Sequence, residues 1–390
     1  MFQGFFRFNH MKKIQRDKKI LYPNVKTSIR ERTWLWVDAV KGNTARFLDA
    51  FLSMLKSRLI THKPFFLAHA ITYACNSRCK TCTYWQMTPK QENDLSTEEV
   101  YMLLDEAYDF GMRGYYLFGG EPLFREDIEA VVKYAKNRGF LTTMNTNASL
   151  LEEKAASLGE TLDFAFISLD YFDDHHDFIR GKPGAFKEVM RGIERIRKGG
   201  RTRVTLVTTI SSMNFDVIEP MAKFARDLGV GISYNAVEPT VQLSFEEGRT
   251  DSPVKTYGLT PKQLQSFYDT LLRLKLEGYP LMETSYVLKQ YAEGYPYTCH
   301  FPKIFVYVSP DKKVFDCTYN HTYDLKTGSF QDYFSSPLYK EHVTKAETCN
   351  ICVRTCVRMY SYAYALKPLN FINLYNDVKI LVNQKPQKPS

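Results

Sequence analysis

From Phe65 onward, short apolar runs alternate with longer stretches in which apolar positions recur every three or four residues. The runs mark buried strands and the longer period marks amphipathic helices. Phe65–Thr72, Gly114–Phe118, Leu141–Thr146, Phe164–Leu169, Val204–Ile210 and Gly231–Val237 read as strands. Thr97–Phe110, Asp127–Lys136, Phe186–Arg197 and Phe215–Leu228 read as helices. The first of them opens with Ser96 and, three residues on, Glu99, which predicts a capping box. After Val237 the alternation stops. Residues 238–257 are polar and turn-rich, Pro261–Glu277 is helix-like, and the block 299–356 holds short strands at Ile304–Ser309 and Lys313–Asp316.

Six strands separated by helices predict an α/β fold, a partial (β/α)6 TIM-like barrel with right-handed crossovers. Its chemistry is expected at the C-terminal ends of the strands. The expected organisation is a basic amphipathic leader (1–64), the barrel (65–240), a helical linker (241–295), a small cysteine-bearing domain (296–357) and a tail (358–390).

The leader changes the picture in one respect. Leu48, Phe51, Leu52, Leu55 and Leu59 share a helical face, with Arg46, Asp49, Ser53 and Lys56 opposite and Trp34 and Trp36 upstream. Residues 1–64 carry 14 Lys+Arg against 4 Asp+Glu, so they account for the whole net charge of +9. Two expectations follow. Either this face packs on the bottom of the barrel, or the helix lies in an anionic membrane surface. The nearly neutral body is not expected to bind nucleic acid. No apolar run approaches the roughly 18 residues of a membrane span. The first residues lack the apolar core and cleavage site of a signal peptide, which points to a reducing, cytoplasmic location, with peripheral membrane attachment as the second expectation. There, clustered cysteines signal metal or catalysis rather than disulfides. The eight cysteines fall into two groups, at 75, 79 and 82 and at 299, 317, 349, 352 and 356.

Cys75, Cys79 and Cys82 form C-x3-C-x2-C directly after the first strand. Three thiolates at this spacing wrap three corners of a 4Fe–4S cube and leave one iron free for a chelating substrate. The competing reading is a zinc knuckle lacking a ligand. Gly119-Gly120-Glu121-Pro122 follows the second strand. Its glycines permit close backbone approach to a small ligand, and its carboxylate suits an ammonium.

Together these motifs resemble the radical S-adenosylmethionine superfamily, over about Phe65 to Cys356. The resemblance implies that the open iron chelates S-adenosylmethionine, which a reduced cluster cleaves to a 5′-deoxyadenosyl radical. It also implies a reducing partner such as flavodoxin or ferredoxin. Glu121, with Gly119 and Gly120, is then expected at the methionine ammonium. Asn147, in Thr146-Asn147-Ala148, resembles the family's T-N-G turn. Ser168 and Asp170 resemble ribose-binding residues, Arg180 the residue at the methionine carboxylate, and Asn235 and Val237 the adenine pocket. The chain departs from the family at Thr81, where an aromatic residue is usual, and at Ala148, where glycine is.

The C-terminal cysteines resemble the auxiliary-cluster extensions called twitch or SPASM. Five cysteines suffice for one further 4Fe–4S cluster, with Cys299, Cys317, Cys349 and Cys352 as expected ligands and Cys356 as alternative ligand or neighbouring thiol. Structural zinc would use the same residues. The expected reaction removes hydrogen from an unactivated carbon of a membrane lipid or isoprenoid chain, with carbon–carbon bond formation. The rival readings are a peptide maturase, a small-molecule alcohol dehydrogenase and a non-catalytic iron–sulfur scaffold.

Overall fold

The computed structural model describes residues 49–50, 52–86, 94–199, 201–237, 253–294, 298–316, 321–349 and 355–364, all within one unit, Arg46–Ser390. Nine strands form a single sheet: β1 Phe66–Thr72, β2 Gly114–Gly119, β3 Leu141–Thr146, β4 Phe164–Ser168, β5 Arg203–Ile210, β6 Gly231–Ala236, β7 Phe305–Val308, β8 Lys313–Phe315 and β9 His321–Asp324. Their order is β6-β5-β4-β3-β2-β1-β7-β8-β9. Pairing is parallel from β6 through to β7 and antiparallel at β7–β8–β9. This is the mostly parallel, barrel-like α/β sheet expected from the alternation, and β1 to β6 begin and end within a residue of the expected positions. The strands of the C-terminal block are not set apart. They extend the sheet from β1's free edge, with Ala68 opposite both Tyr116 of β2 and Tyr307 of β7.

Helices α1 Thr97–Phe110, α2 Ile128–Arg138, α3 Leu151–Thr161, α4 His175–Arg180, α5 Ala185–Lys198 and α6 Ile218–Leu228 connect the first six strands. Then come α7 Pro261–Leu276, α8 Ser285–Ala292, α9 Phe330–Ser335, α10 Pro337–Thr348 and α11 Thr355–Tyr364. The capping box of α1 is present in both directions, Ser96 Oγ accepting from Glu99 N and Glu99 Oε2 from Ser96 N. Alternate residues of each strand face the helices: Leu67, Ile71, Tyr115, Leu117, Met144, Ile167, Leu206 and Ile232 share one core with Leu103, Val132, Leu158 and Ile193.

On the other face of β1, β2, β7 and β8, Phe66, Tyr116, Phe118, Phe305, Tyr307 and Phe315 form a continuous chain of rings. The centroids lie 4.6 Å apart for Phe66–Phe305, 5.5 Å for Phe118–Tyr307 and 5.2 Å for Tyr307–Phe315.

His69 interrupts the apolar run of β1 and is completely buried. Its Nδ1 lies 3.0 Å from the Tyr115 hydroxyl, and burial, aided by the Arg125 charge, lowers its pKa to about 3. The unfolded chain takes up this proton below about pH 6.5, the folded chain not until about 3. Stability is therefore complete above pH 6.5 and lost as pH falls through that window, by roughly 2 kcal/mol at pH 5. His69→Gln should show a shallower fall in melting temperature between pH 7 and 5 than the parent. Parallel slopes in the two proteins would exclude His69 as the group responsible.

Of the leader, residues 1–48 and Phe51 lie outside the described residues, as do Leu48, Trp34 and Trp36. Of the described residues of that face, Leu52 and Leu59 are 54% and 63% exposed, while Ala50 and Ser57 are buried.

Candidate functional site

The C-terminal end of β1 runs directly into the C-x3-C-x2-C loop, which three other segments hold in place. From the β2 side, Gly120 N donates to Thr72 O and Glu121 N to Ala74 O, each at 2.8 Å. A Cβ on Gly120 would stand 2.2 Å from Ala74 O, so only glycine lets the two backbones meet. From the β3 side, the Asn147 amide donates to Asn76 Oδ1 and Ser77 Oγ, and Asn76 Nδ2 donates to Ser149 Oγ. From α4, Ile179 O and Arg180 O accept from Lys80 N and Arg78 N. Gly181 makes that approach possible, since a Cβ there would lie 2.4 Å from Arg78 O.

Cys79 is buried, and Cys75 and Cys82 are half-buried. Burial holds all three thiols protonated, with Cys75 pushed up to about 11 and Cys82 to about 12; each also feels its neighbours' charge. Arg180 Nη1 donates to Cys79 Sγ at 3.9 Å and is the cation beside the group. The three side chains share one loop without converging to metal-binding distance. As a donor set they fit a 4Fe–4S cluster: three sulfurs on one loop, with a cation to balance thiolate charge and a glycine cradle alongside.

Glu121 is 1% exposed, and its carboxylate is already engaged. Oε1 accepts from Leu123 N at 2.9 Å and Thr146 Oγ1 at 2.7 Å, and Oε2 from Asn147 N at 2.7 Å. Burial raises its pKa, and those three bonds oppose the rise. Besides facing the loop cradle, Glu121 therefore fastens the β3 turn. Ala148 occupies that turn at φ 59°, the left-handed conformation that glycine would adopt freely. The departure from T-N-G thus keeps the glycine-like geometry.

Asp170, fully buried, accepts from Thr209 N through Oδ1, while Oδ2 lies 2.7 Å from Arg180 Nε. That N–H is not aimed at the oxygen, and neither atom has another hydrogen-bond partner. The Asp170 backbone N–H donates to His176 Nδ1 and its carbonyl accepts from Asn214 Nδ2. Ser168 ends β4 beside Val207, and Asn235 pairs with Thr209 across β5–β6. Val237 is buried just beyond, its N–H bonded to Ile210 O.

Sequence reasoning missed Asn76, Ser77, Ser149, His176 and Asn214, which lock the loops together. Short polar residues at strand ends were the available signal.

Cys317 and Cys352 lie outside the described residues, as does the side chain of Cys356. The stretches around them nevertheless meet at the end of α10. Lys303 and His300, next to Cys299, reach Glu347, with His300 Nδ1 at 4.0 Å. Lys345 lies 3.7 Å from Asp316, the residue before Cys317. Cys349 caps α10, and His300 N donates to Ser361 Oγ of α11, the helix that carries Cys356.

A model described as the Radical SAM superfamily matches residues 70–227. Fe-coproporphyrin III synthase of Methanosarcina barkeri is 34% identical over 158 residues, 38% of this chain and 39% of that protein. The AdoMet-dependent heme synthase of the same organism is 31% identical over 175 residues, 44% of this chain and 49% of that protein. The chain thus spans less than half the length of these curated relatives. Two solved structures share the fold. Native anSMEcpe with bound AdoMet gives a TM-score of 0.57 at 17% identity, covering 82% of this chain and 99% of the other. Streptococcus suis SuiB bound to precursor peptide SuiA gives 0.59 at 14%, covering 86% and 79%.

Proposed function

We propose, for a chain whose residues 70–227 form a Radical SAM domain and whose cofactors are a 4Fe–4S cluster and S-adenosylmethionine, a hydrogen-abstracting enzyme acting on an unactivated carbon. The observation that carries this reading is the cysteine loop itself, clamped at the end of β1 by the Gly-Gly-Glu turn, the β3 turn and α4. When bound, cluster and cofactor supply a one-electron scission of a sulfonium C–S bond and the carbon radical that results.

The chain's own residues position and insulate. Cys75, Cys79 and Cys82 are the ligands. Gly119 and Gly120 bring backbone close to the cofactor's amino-acid end, and Glu121, spent on the β3 turn, retains capacity on Oε2 for an ammonium. Arg180 remains a cation in a buried position, because Asp170 and Cys79 offset the cost of its burial. It therefore serves a carboxylate or the thiolates. Ser168 and Asn235 face the side of the sheet on which an adenosine would lie. Anaerobically reduced protein should convert S-adenosylmethionine to methionine and 5′-deoxyadenosine, and its failure to do so would refute the reading.

For the C-terminal block we propose one auxiliary 4Fe–4S cluster on Cys299, Cys317, Cys349 and Cys352, with Cys356 beside it. Support comes from the meeting of residues 299–303, 316, 345–349 and 361 around the end of α10. Cys349→Ala with Cys352→Ala should keep S-adenosylmethionine cleavage, lose product formation and lose about four irons. One zinc in place of those irons would assign a structural metal instead.

The substrate we propose presents a hydrocarbon-rich portion to Tyr116, Phe118 and Tyr307, half-buried rings of the aromatic chain on β1, β2, β7 and β8, Phe305 and Phe315 being buried. An isoprenoid or lipid chain meets this requirement, and so do the tetrapyrroles for which the relatives are named. Stimulation of 5′-deoxyadenosine formation by an isoprenoid lipid extract or by iron coproporphyrin III separates the two.

A further inference from the structure

The helix that precedes β1 is turned the opposite way from an ordinary surface helix. Residues 49–50 and 52–56 are α-helical, and the coil continues as a π-helix over Ser57–Thr61. Its inward side carries the small residues Ala50 and Ser57. Its outward side carries Leu52, Leu59 and Ile60, the last 71% exposed, and Met54 is exposed as well. An amphipathic helix of a globular protein normally buries its aliphatic side. Polar contacts hold this one instead. Asp49 pairs with Arg113, Lys63 Nζ donates to Phe110 O, and the Arg58 guanidinium donates to Tyr364 O and lies 4.6 Å over its ring. Arg113 directly precedes β2, so the helix sits at the N-terminal ends of the strands, and the cysteine loop at the other ends. Lys56 is exposed and pairs with no acid among the described residues. The acids described near the helix, Asp49, Asp109 and Glu347, are answered by Arg113, Arg138 and Lys303. Residues 1–48, which lead into it, hold 11 Lys+Arg against 3 Asp+Glu, with Trp34 and Trp36 among them.

We infer that Leu52, Leu59 and Ile60, with Lys56 beside them, form a docking surface for an anionic lipid bilayer. The inference is independent of the radical reading above. Exposed aliphatic side chains on one side of a helix gain by entering the boundary between headgroups and acyl chains. Lysines and arginines next to them are attracted to anionic headgroups, and tryptophan suits the same depth. Charge selects the bilayer over the other occupants. A second copy of the chain would bring the same basic leader against itself, a like-charge contact. Residues 1–48 laid over the face would set eight net positive charges beside Lys56, Arg58 and Lys63. Anionic headgroups answer all of them at once. Because the helix lies at the far ends of the strands, a bilayer held there leaves the cysteine-loop end of the barrel uncovered.

Flotation of the full chain with vesicles of phosphatidylcholine, alone or with added phosphatidylglycerol, tests this. The parent should partition onto the anionic vesicles about tenfold more strongly than onto the neutral ones, and lose that preference at high salt. Leu59→Glu combined with Ile60→Glu should weaken partitioning onto anionic vesicles by roughly tenfold or more. Lys56→Glu should weaken it severalfold. Melting temperature and iron content of the double variant should match the parent, since these side chains hold nothing in the fold. Equal partitioning of the parent onto both kinds of vesicle, or unchanged partitioning of the double variant, would overturn the surface. A lowered melting temperature in the double variant would show that the chain's own leader covers the face, which also overturns it. So would a parent dimer that the double variant dissolves, which would assign the face to a second copy. S-adenosylmethionine cleavage is read in a separate assay, so the failure of either proposal leaves the other standing.

Discussion

Replacing Cys75, Cys79 and Cys82 together by alanine should abolish 5′-deoxyadenosine formation and remove about four of the roughly eight irons of reconstituted protein. The expected loss is total because no neighbouring donor substitutes. Among the described residues, the other groups at the loop are Asn76, Ser77 and Arg180, none of which is an iron ligand of thiolate strength. The fold should survive, since the loop is held by backbone and amide bonds rather than by sulfur. Circular dichroism of the variant should therefore match the parent. Cleavage under dithionite by this variant would remove the basis of the proposed function.

Glu121→Ala should produce the second-largest defect, and a broader one than loss of a cofactor contact. Truncation leaves Leu123 N, Thr146 Oγ1 and Asn147 N without their acceptor in a buried setting. At about 1–3 kcal/mol for each stranded group, partly relieved by water, a total of roughly 3–5 kcal/mol is expected. The β3 turn then loosens, and with it the Asn147 amide that grips Asn76 and Ser77. S-adenosylmethionine affinity should fall by about a hundredfold or more, with a lower melting temperature and reduced iron retention. Glu121→Gln keeps one acceptor oxygen and should lie between the two. If Glu121→Ala lost affinity alone, with melting and iron unchanged, the strapping role would be refuted and a pure ammonium contact would stand.

That difference shows what the sequence made legible. The spacing of Cys75, Cys79 and Cys82 and the glycines at 119 and 120 are local patterns with one chemical meaning each, so they are readable without a fold. Strands β1 to β6 were legible for a similar reason: each is a short run with apolar residues at alternate positions, Met144, Ile167, Leu206 and Ile232 among them, set between stretches of helical period. The use of Glu121 and Asp170 was not legible, because each carboxylate is claimed by partners from other elements, Thr146 and Asn147 at the end of β3 in one case, Thr209 of β5 and Arg180 of α4 in the other. Helix α3 was hidden by Gly159, which a propensity reading counts against a helix. In the structure Gly159 sits inside the helix facing α5, where a Cβ would meet Ile196 O at 3.5 Å, an ordinary contact. Helix α10 escaped notice because it buries no residue, and so has no apolar stripe to read. The pairing of β7 with β1 joins residues more than two hundred positions apart, and nothing in either strand announces its neighbour.

That pairing also dictates an order of events during synthesis. β1 emerges early and acquires β2 within one β/α unit, but its opposite edge has no partner until Phe305–Val308 leaves the ribosome. Until then a bare strand edge, bearing Phe66 and Ala68 and leading into three reactive thiols, is open to pairing with another nascent chain. Truncation before β7 should therefore yield aggregates rather than a smaller working barrel, and iron delivered during translation would meet the first cysteine loop while that edge is still uncovered.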